Sequence, residues 1–247
     1  MILSHRHRLV FIKGRKIGGT SLEIALESFC GPRDIVTPIT QIDDLARVDR
    51  GGGPRNYARY WWQEARYLRR LRRSSPSAAS AVKIPAQRFH NHMSLAEVEE
   101  KAKVGADYRI FFIERSPYAK ILSFANMKRD FAAYAAGGSL SREPSDLGRA
   151  VDRCIEDGTI GLVRNIDLYR NAKGEIVGEA WRFHALDEHW RSLCEELNVD
   201  WAPLPHAKQG ITADSLDPRD WLRADQIAII NEMMADEFTA FGYPMLA

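Results

Sequence analysis

The chain has 247 residues, 45% of them hydrophobic and 28% charged, and a formal net charge of +2. That is enough apolar material for one α/β domain spanning residues 1–247 and too little for two comfortable ones, so a disordered chain is excluded and wholesale nucleic-acid binding is not indicated. Cys30, Cys154 and Cys194 are odd in number and lack CxxC spacing, which argues against a disulfide framework or a structural zinc site.

From the start, Met1 to Arg8 runs into an apolar stretch of only about five residues, far short of the roughly 20 of a membrane span, so a soluble cytoplasmic protein without a span is expected. Leu9-Val10-Phe11-Ile12 reads as a buried strand entering the glycine-bearing loop Lys13-Gly14-Arg15-Lys16-Ile17-Gly18-Gly19. Leu22, Ala25, Leu26 and Phe29 then stripe a helix that starts near Thr20. Gly31 to Pro54 reads as loop, because Gly-Pro, Thr-Pro and Gly51-Gly52-Gly53-Pro54 interrupt any regular element.

Residues 57–73 predict a basic, aromatic helix within a variable insert around 55–85. It is expected to pack Trp61 or Trp62 inward and solvate its arginines, or else to serve as an acceptor platform; RNA binding would use the same composition. Ser74 to Ala81 reads as an exposed connector. A second strand is expected at Tyr108–Ile113, followed by Glu114-Arg115-Ser116-Pro117 and a helix whose core face is Tyr118, Ile121, Leu122 and Ala125. Gly174 to Phe183 predicts a strand, Leu186 to Leu197 a helix, and Ile227, Ile230, Met234 and Phe238 a C-terminal helix. Two strand–loop–helix units imply an α/β fold with a central parallel sheet flanked by helices in three layers.

A glycine loop between a strand and a helix N-terminus is an anion cradle, because backbone amides and the positive end of the helix dipole converge there. Gly14-x4-Gly19 follows the spacing of a nucleotide-triphosphatase loop, but Thr20 stands where that motif has lysine, and Lys16 precedes the glycine pair. Arg15-Lys16-Ile17-Gly18-Gly19-Thr20-Ser21-Leu22 resembles the 5′-phosphosulfate loop of the sulfotransferases. Phe112-Ile113-Glu114-Arg115-Ser116-Pro117-Tyr118 with Ser123 resembles their 3′-phosphate loop. His92-Met93-Ser94 and the ending Phe238-Thr239-Ala240-Phe241-Gly242-Tyr243 are similar to the carbohydrate-type branch. Arg15 and Ile17 replace a proline and a threonine of the first loop, Ser116 replaces an asparagine of the second, and His184 replaces the glutamate that usually follows Arg182-Phe183.

The resemblance implies a P-loop-like fold and a donor, 3′-phosphoadenosine 5′-phosphosulfate (PAPS), with a sulfuryl group passing to an acceptor hydroxyl of a carbohydrate or glycolipid. It makes Arg15, Lys16, Gly18, Gly19, Thr20, Ser21, Arg115 and Ser123 the donor-binding residues, and Lys16 and His92 the catalytic ones. No metal ion and no specific nucleic acid are expected. An imidazole at its ordinary pKa would make His92 half neutral near pH 6.5 and give an acidic limb at about pH 6–7; His90 is the fallback base. The plainer alternatives are a ligand-free glycine turn, a surface ion pair for Arg115, an ordinary helix serine for Ser123 and a loop role for His90 and His92. His5, His7, His184, His189 and His206 are expected to be structural or solvent-facing. The rival functions are a P-loop kinase using ATP and magnesium, and a non-catalytic nucleotide-binding module. The oligomeric state is left open.

Overall fold

In the computed structural model, residues 1–135, 144–205 and 217–247 are described. Among them, strands β1 (Ile2–Ser4), β2 (Leu9–Ile12), β3 (Ile35–Val36), β4 (Arg109–Glu114) and β5 (Glu179–Arg182) form one sheet in the order β3-β1-β2-β4-β5. β2, β4 and β5 are parallel, with Phe11 opposite Phe111 and Glu114 opposite Arg182. β1 is antiparallel to both β2 and β3, so the sheet is mixed and not wholly parallel as expected. The cause is connection length: residues 5–8 are too few for the crossover that a parallel neighbour requires.

The helices are α1 (Gly19–Glu27), α2 (Gln41–Asp49), α3 (Trp61–Leu71), α4 (Pro76–Ala79), α5 (Leu95–Lys101), α6 (Pro117–Ala135), α7 (Pro144–Glu156), α8 (Leu186–Glu196), α9 (Ala224–Met233) and α10 (Ala235–Phe241). Successive strand residues feed opposite faces of the sheet. Leu9, Phe11, Phe111, Ile113 and Trp181 pack with Leu22 and Leu26 of α1 and Trp190 and Leu193 of α8. Val10, Ile12 and Phe112 pack on the other face with Leu45, Tyr67, Leu71, Leu95 and Val98 of α2, α3 and α5. A third cluster joins the expected face of α6, Tyr118, Ile121, Leu122 and Ala125, to Val151, Ile227, Ile230 and Phe238. No helix among the described residues is long and apolar enough to cross a membrane.

Several expected elements change. The Gly31–Pro54 stretch contains β3 and α2; α2 is polar along most of its length and is fixed by its Thr40 cap, which accepts from the Asp43 amide, and by Arg47 buried against Glu27 and Asp44. The connector at 74–81 includes α4. The strand over Gly174–Phe183 shrinks to β5, because Asn171 to Glu175 close a turn with their own hydrogen bonds. The single C-terminal helix is two, broken at Met234 (φ −109°, ψ 15°).

Candidate functional site

The first loop leaves β2 at Lys13 and enters α1 through Gly18. Lys16 (φ 61°) and Gly18 (φ 74°) are both left-handed, and between them Ile17 is buried, so this short segment turns twice around an apolar plug. Gly18 has no substitute: a Cβ there would lie 2.5 Å from the Phe183 ring. A Cβ at Gly14 would lie 2.4 Å from the Tyr169 hydroxyl. α1 begins without a side-chain cap and without an acidic residue in its first turn, so the amides of that turn face the loop under the positive end of the dipole.

Two contacts hold this loop in shape. Asn165, fully buried, accepts from the Arg15 amide at 2.7 Å and donates to the Arg15 carbonyl at 3.0 Å, pairing with the backbone on both sides of one residue. Lys13, also buried, donates to Thr20 Oγ1 at 3.2 Å and pairs with Glu23 at 2.5 Å. Burial opposes ionisation of Glu23, but the Lys13 and Met1 ammonium groups with Arg47 outweigh it and hold the carboxyl at about 2.

Because β2 and β4 are adjacent and parallel, the second loop starts beside the first at the same carboxyl edge of the sheet. Arg115, 6% exposed, donates to the Lys16 carbonyl at 3.4 Å and lies 4.5 Å over the Phe183 ring, the same ring that closes on Gly18. The Lys16 ammonium reaches Met127 Sδ on α6 at 3.5 Å. Met127 is one turn beyond Ser123, so Ser123 shares the helix face that Lys16 approaches. Lys16 thus meets the second loop through Arg115 and the Ser123-bearing face of α6 through Met127. The Arg15 side chain is turned elsewhere, its guanidinium 3.4 Å from the Leu162 carbonyl, and its contribution is through the clamped backbone.

His92 reaches the start of the same loop: its Nδ1 is 3.0 Å from the Lys13 carbonyl. A carbonyl only accepts, so Nδ1 carries the proton and Nε2 is the basic nitrogen. Burial, reinforced by the nearby Lys13 ammonium, pushes the imidazole down to about 3, which corrects the expected half-neutral state near pH 6.5. His90 points away and meets Glu97 at 3.5 Å, and the Ser94–Glu97 capping box that starts α5 fixes the turn separating the two rings. Asn91 between them binds the Met1 ammonium through its carbonyl (3.1 Å) and side chain (3.2 Å), tying this segment to Glu23 of α1.

Among the remaining histidines, His5 bonds the Tyr108 hydroxyl, His7 the Phe29 carbonyl, and His189 stacks on Trp181, while His184 is exposed; His206 lies outside the described residues. Arg182 donates to the Phe241 carbonyl at 2.5 Å and lies 4.7 Å over Tyr243, so it anchors the C-terminal segment to the end of β5.

Sequence reasoning missed the residues that unite the two loops. Lys120 of α6, fully buried, pairs with Glu114 at 3.3 Å and with Glu237 of α10 at 2.5 Å. Glu237 in turn accepts from the Asn165 and Ile166 amides, and Asn165 clamps Arg15. Burial, with Glu237 adding to it and Lys120 opposing it, raises Glu114 to about 7. The signal available was a charged residue inside an apolar stripe: Lys120 lies among Tyr118, Ala119, Ile121 and Leu122, and Glu237 beside Phe238.

Compared with protein families, curated proteins and solved structures, the chain shows no significant match to any of them.

Proposed function

We propose that this chain is a sulfotransferase with a P-loop-like, three-layer donor domain that takes a sulfuryl group from PAPS to a carbohydrate or glycolipid hydroxyl. The observation that carries the reading is the junction of the two loops at one sheet edge, where Arg115 binds the Lys16 carbonyl and Lys16 reaches the α6 face of Ser123. In this reading the amides of Gly19 and Thr20 hold the 5′-phosphate beside Ser21, whose own amide donates to the Gly18 carbonyl at 3.2 Å, while Arg115 and Ser123 select the 3′-phosphate. The Thr20 oxygen accepts from Lys13 and keeps its own O–H to donate.

Transfer forms a bond from the acceptor oxygen to sulfur and breaks the bond from sulfur to the bridging phosphate oxygen. The electron pair leaves with adenosine 3′,5′-bisphosphate, and the acceptor proton goes to His92 Nε2. Lys16 neutralises the charge that grows on the departing oxygen. The rival kinase reading is less well served, because the carboxylates nearest the loops in sequence, Glu23 and Glu114, are both consumed in buried ion pairs.

The test is calorimetry with adenosine 3′,5′-bisphosphate and ATP. The bisphosphate should bind tightly without magnesium and ATP weakly, and Arg115→Ala should weaken the bisphosphate by about 2–3 kcal/mol, the scale of a charge-assisted contact at a buried site. Equal affinities, or an unchanged value in Arg115→Ala, would reject the donor assignment. Lys16→Ala should lower single-turnover transfer by about 10²–10³ while changing bisphosphate affinity less, since its charge acts chiefly in the transition state. A mutant rate equal to wild type would remove Lys16 from catalysis.

A further inference from the structure

The outer face of α3 does not belong to the donor site. Glu64, Tyr67 and Leu71 turn inward and are buried, whereas Trp61 is 79% exposed, Trp62 50% and the preceding Tyr60 47%. This corrects the expectation that Trp61 or Trp62 packs inward: the helix phase is set by the i, i+3, i+7 positions of Glu64, Tyr67 and Leu71, and both tryptophans fall at its outward N-terminal end.

Trp62, Arg66, Arg69, Arg70 and Arg73 follow at i, i+4, i+7, i+8 and i+11, a single outward stripe about 16 Å long. Residues 59–73 hold six arginines, Arg59, Arg66, Arg69, Arg70, Arg72 and Arg73, against one carboxylate. That carboxylate, Glu64, is buried and accepts from the Asn56 and Ala58 amides at 2.9 and 2.7 Å. Among the described residues none of the six arginines forms an ion pair. In a chain of net charge +2 this is a local concentration of unneutralised positive charge.

We propose that α3 docks flat on an anionic membrane surface, with its arginines over lipid phosphates and its aromatic end in the headgroup layer. The charge is complementary, and guanidinium forks suit phosphate oxygens better than ammonium groups do. The exposed aromatics of this face are Tyr60, Trp61 and Trp62, side chains whose apolar body and polar tip place them at a lipid–water boundary. Charge and aromatic insertion together supply the two signals that stable peripheral binding requires. A base-stacking or sugar-stacking partner would need open ring faces. Tyr60 and Trp62 are instead stacked on each other at 6.0 Å, and Arg59 lies 5.4 Å over Tyr60, leaving Trp61 alone as a platform. This surface does not depend on the donor chemistry and is tested apart from it.

The experiment is flotation of the full chain with vesicles of phosphatidylcholine alone or mixed with phosphatidylglycerol, at low and high salt. The protein should float only with the anionic vesicles and be released by salt. Each arginine is worth roughly fivefold, so changing Arg66, Arg69, Arg70 and Arg73 together to glutamine should weaken association on the order of 10²-fold or more. Trp61→Phe should lose part of the tryptophan quenching by brominated lipid, the remainder coming from Trp62, with thermal unfolding unchanged in both variants because the altered side chains are exposed. Equal flotation with neutral and anionic vesicles, or an arginine variant that floats like wild type, would overturn the proposal. So would absence of flotation together with arginine-dependent retention on an RNA homopolymer or a sulfated polysaccharide, which would assign the face to that polymer.

Discussion

Replacing His92 by alanine is expected to leave bisphosphate affinity nearly intact and to lower sulfuryl transfer by about 10²–10⁴-fold, the range for loss of a positioned general base. Because Nδ1 also binds the Lys13 carbonyl, alanine alone would confuse loss of the base with loss of an anchor. His92→Asn separates them: its amide can donate to the same carbonyl but cannot take a proton. Both variants should be slow if the base is what matters, and only alanine should be slow if the anchor is. The wild-type pH–rate profile should lack an acidic limb at 6–7, since the buried imidazole stays neutral down to about 3. A weak base suffices when the acceptor proton is lost late in a loose transition state. A limb near 6–7 that vanishes in His92→Asn would contradict the desolvated imidazole. The same depression has a folding consequence. Stability from the neutral ring is present above the ordinary pKa of 6.5 and is lost as pH falls toward about 3.

Lys120→Met is expected to cost about 3–5 kcal/mol of folding stability in denaturant titration, because it leaves Glu114 and Glu237 buried without their shared cation. Glu114→Gln added to Lys120→Met should recover a substantial part, as it removes one of the two stranded carboxylates. A Lys120→Met protein as stable as wild type would mean that the network carries no net load. The pH dependence has a definite sign: Glu114 is raised from 4.5 to about 7, so its contribution is complete below 4.5 and is lost as pH rises through about 7. His92 and the Met1 amine act with the opposite sign in the same window, so the test is the difference: between pH 5 and 8 wild type should lose stability relative to Glu114→Gln as pH rises.

What made the two loops legible in the sequence was local and repetitive in kind. Leu9–Ile12 and Arg109–Glu114 are short apolar runs that end in turn chemistry, and each is followed by a helical stripe, so strand, loop and helix could be placed to within a residue or two. The first-loop motif kept Lys16, Gly18, Gly19, Thr20 and Ser21 on six consecutive residues, and Ser123 follows Arg115 by a short offset into the next helix. α2 escaped because its stabilisation is not periodic: Arg47 is held by Glu27 of another helix, a pairing with no local trace. The outward phase of Trp61 and Trp62 escaped because composition made them core candidates, while Tyr67 and Leu71 won the contact with the sheet.

The sequence by itself determined the α/β class and the strand–glycine-loop–helix units, because hydrophobic period and turn residues act over a few positions. Only the tertiary structure decided that the sheet is mixed, that Lys13 and Asn165 brace the first loop, and that Lys120 and Glu237 join it to the second. It also decided that His92, and not His90, faces that loop with its proton on Nδ1. The reason is physical: burial and long-range pairing set these outcomes, and Asn165 lies 150 residues from the Arg15 backbone it clamps.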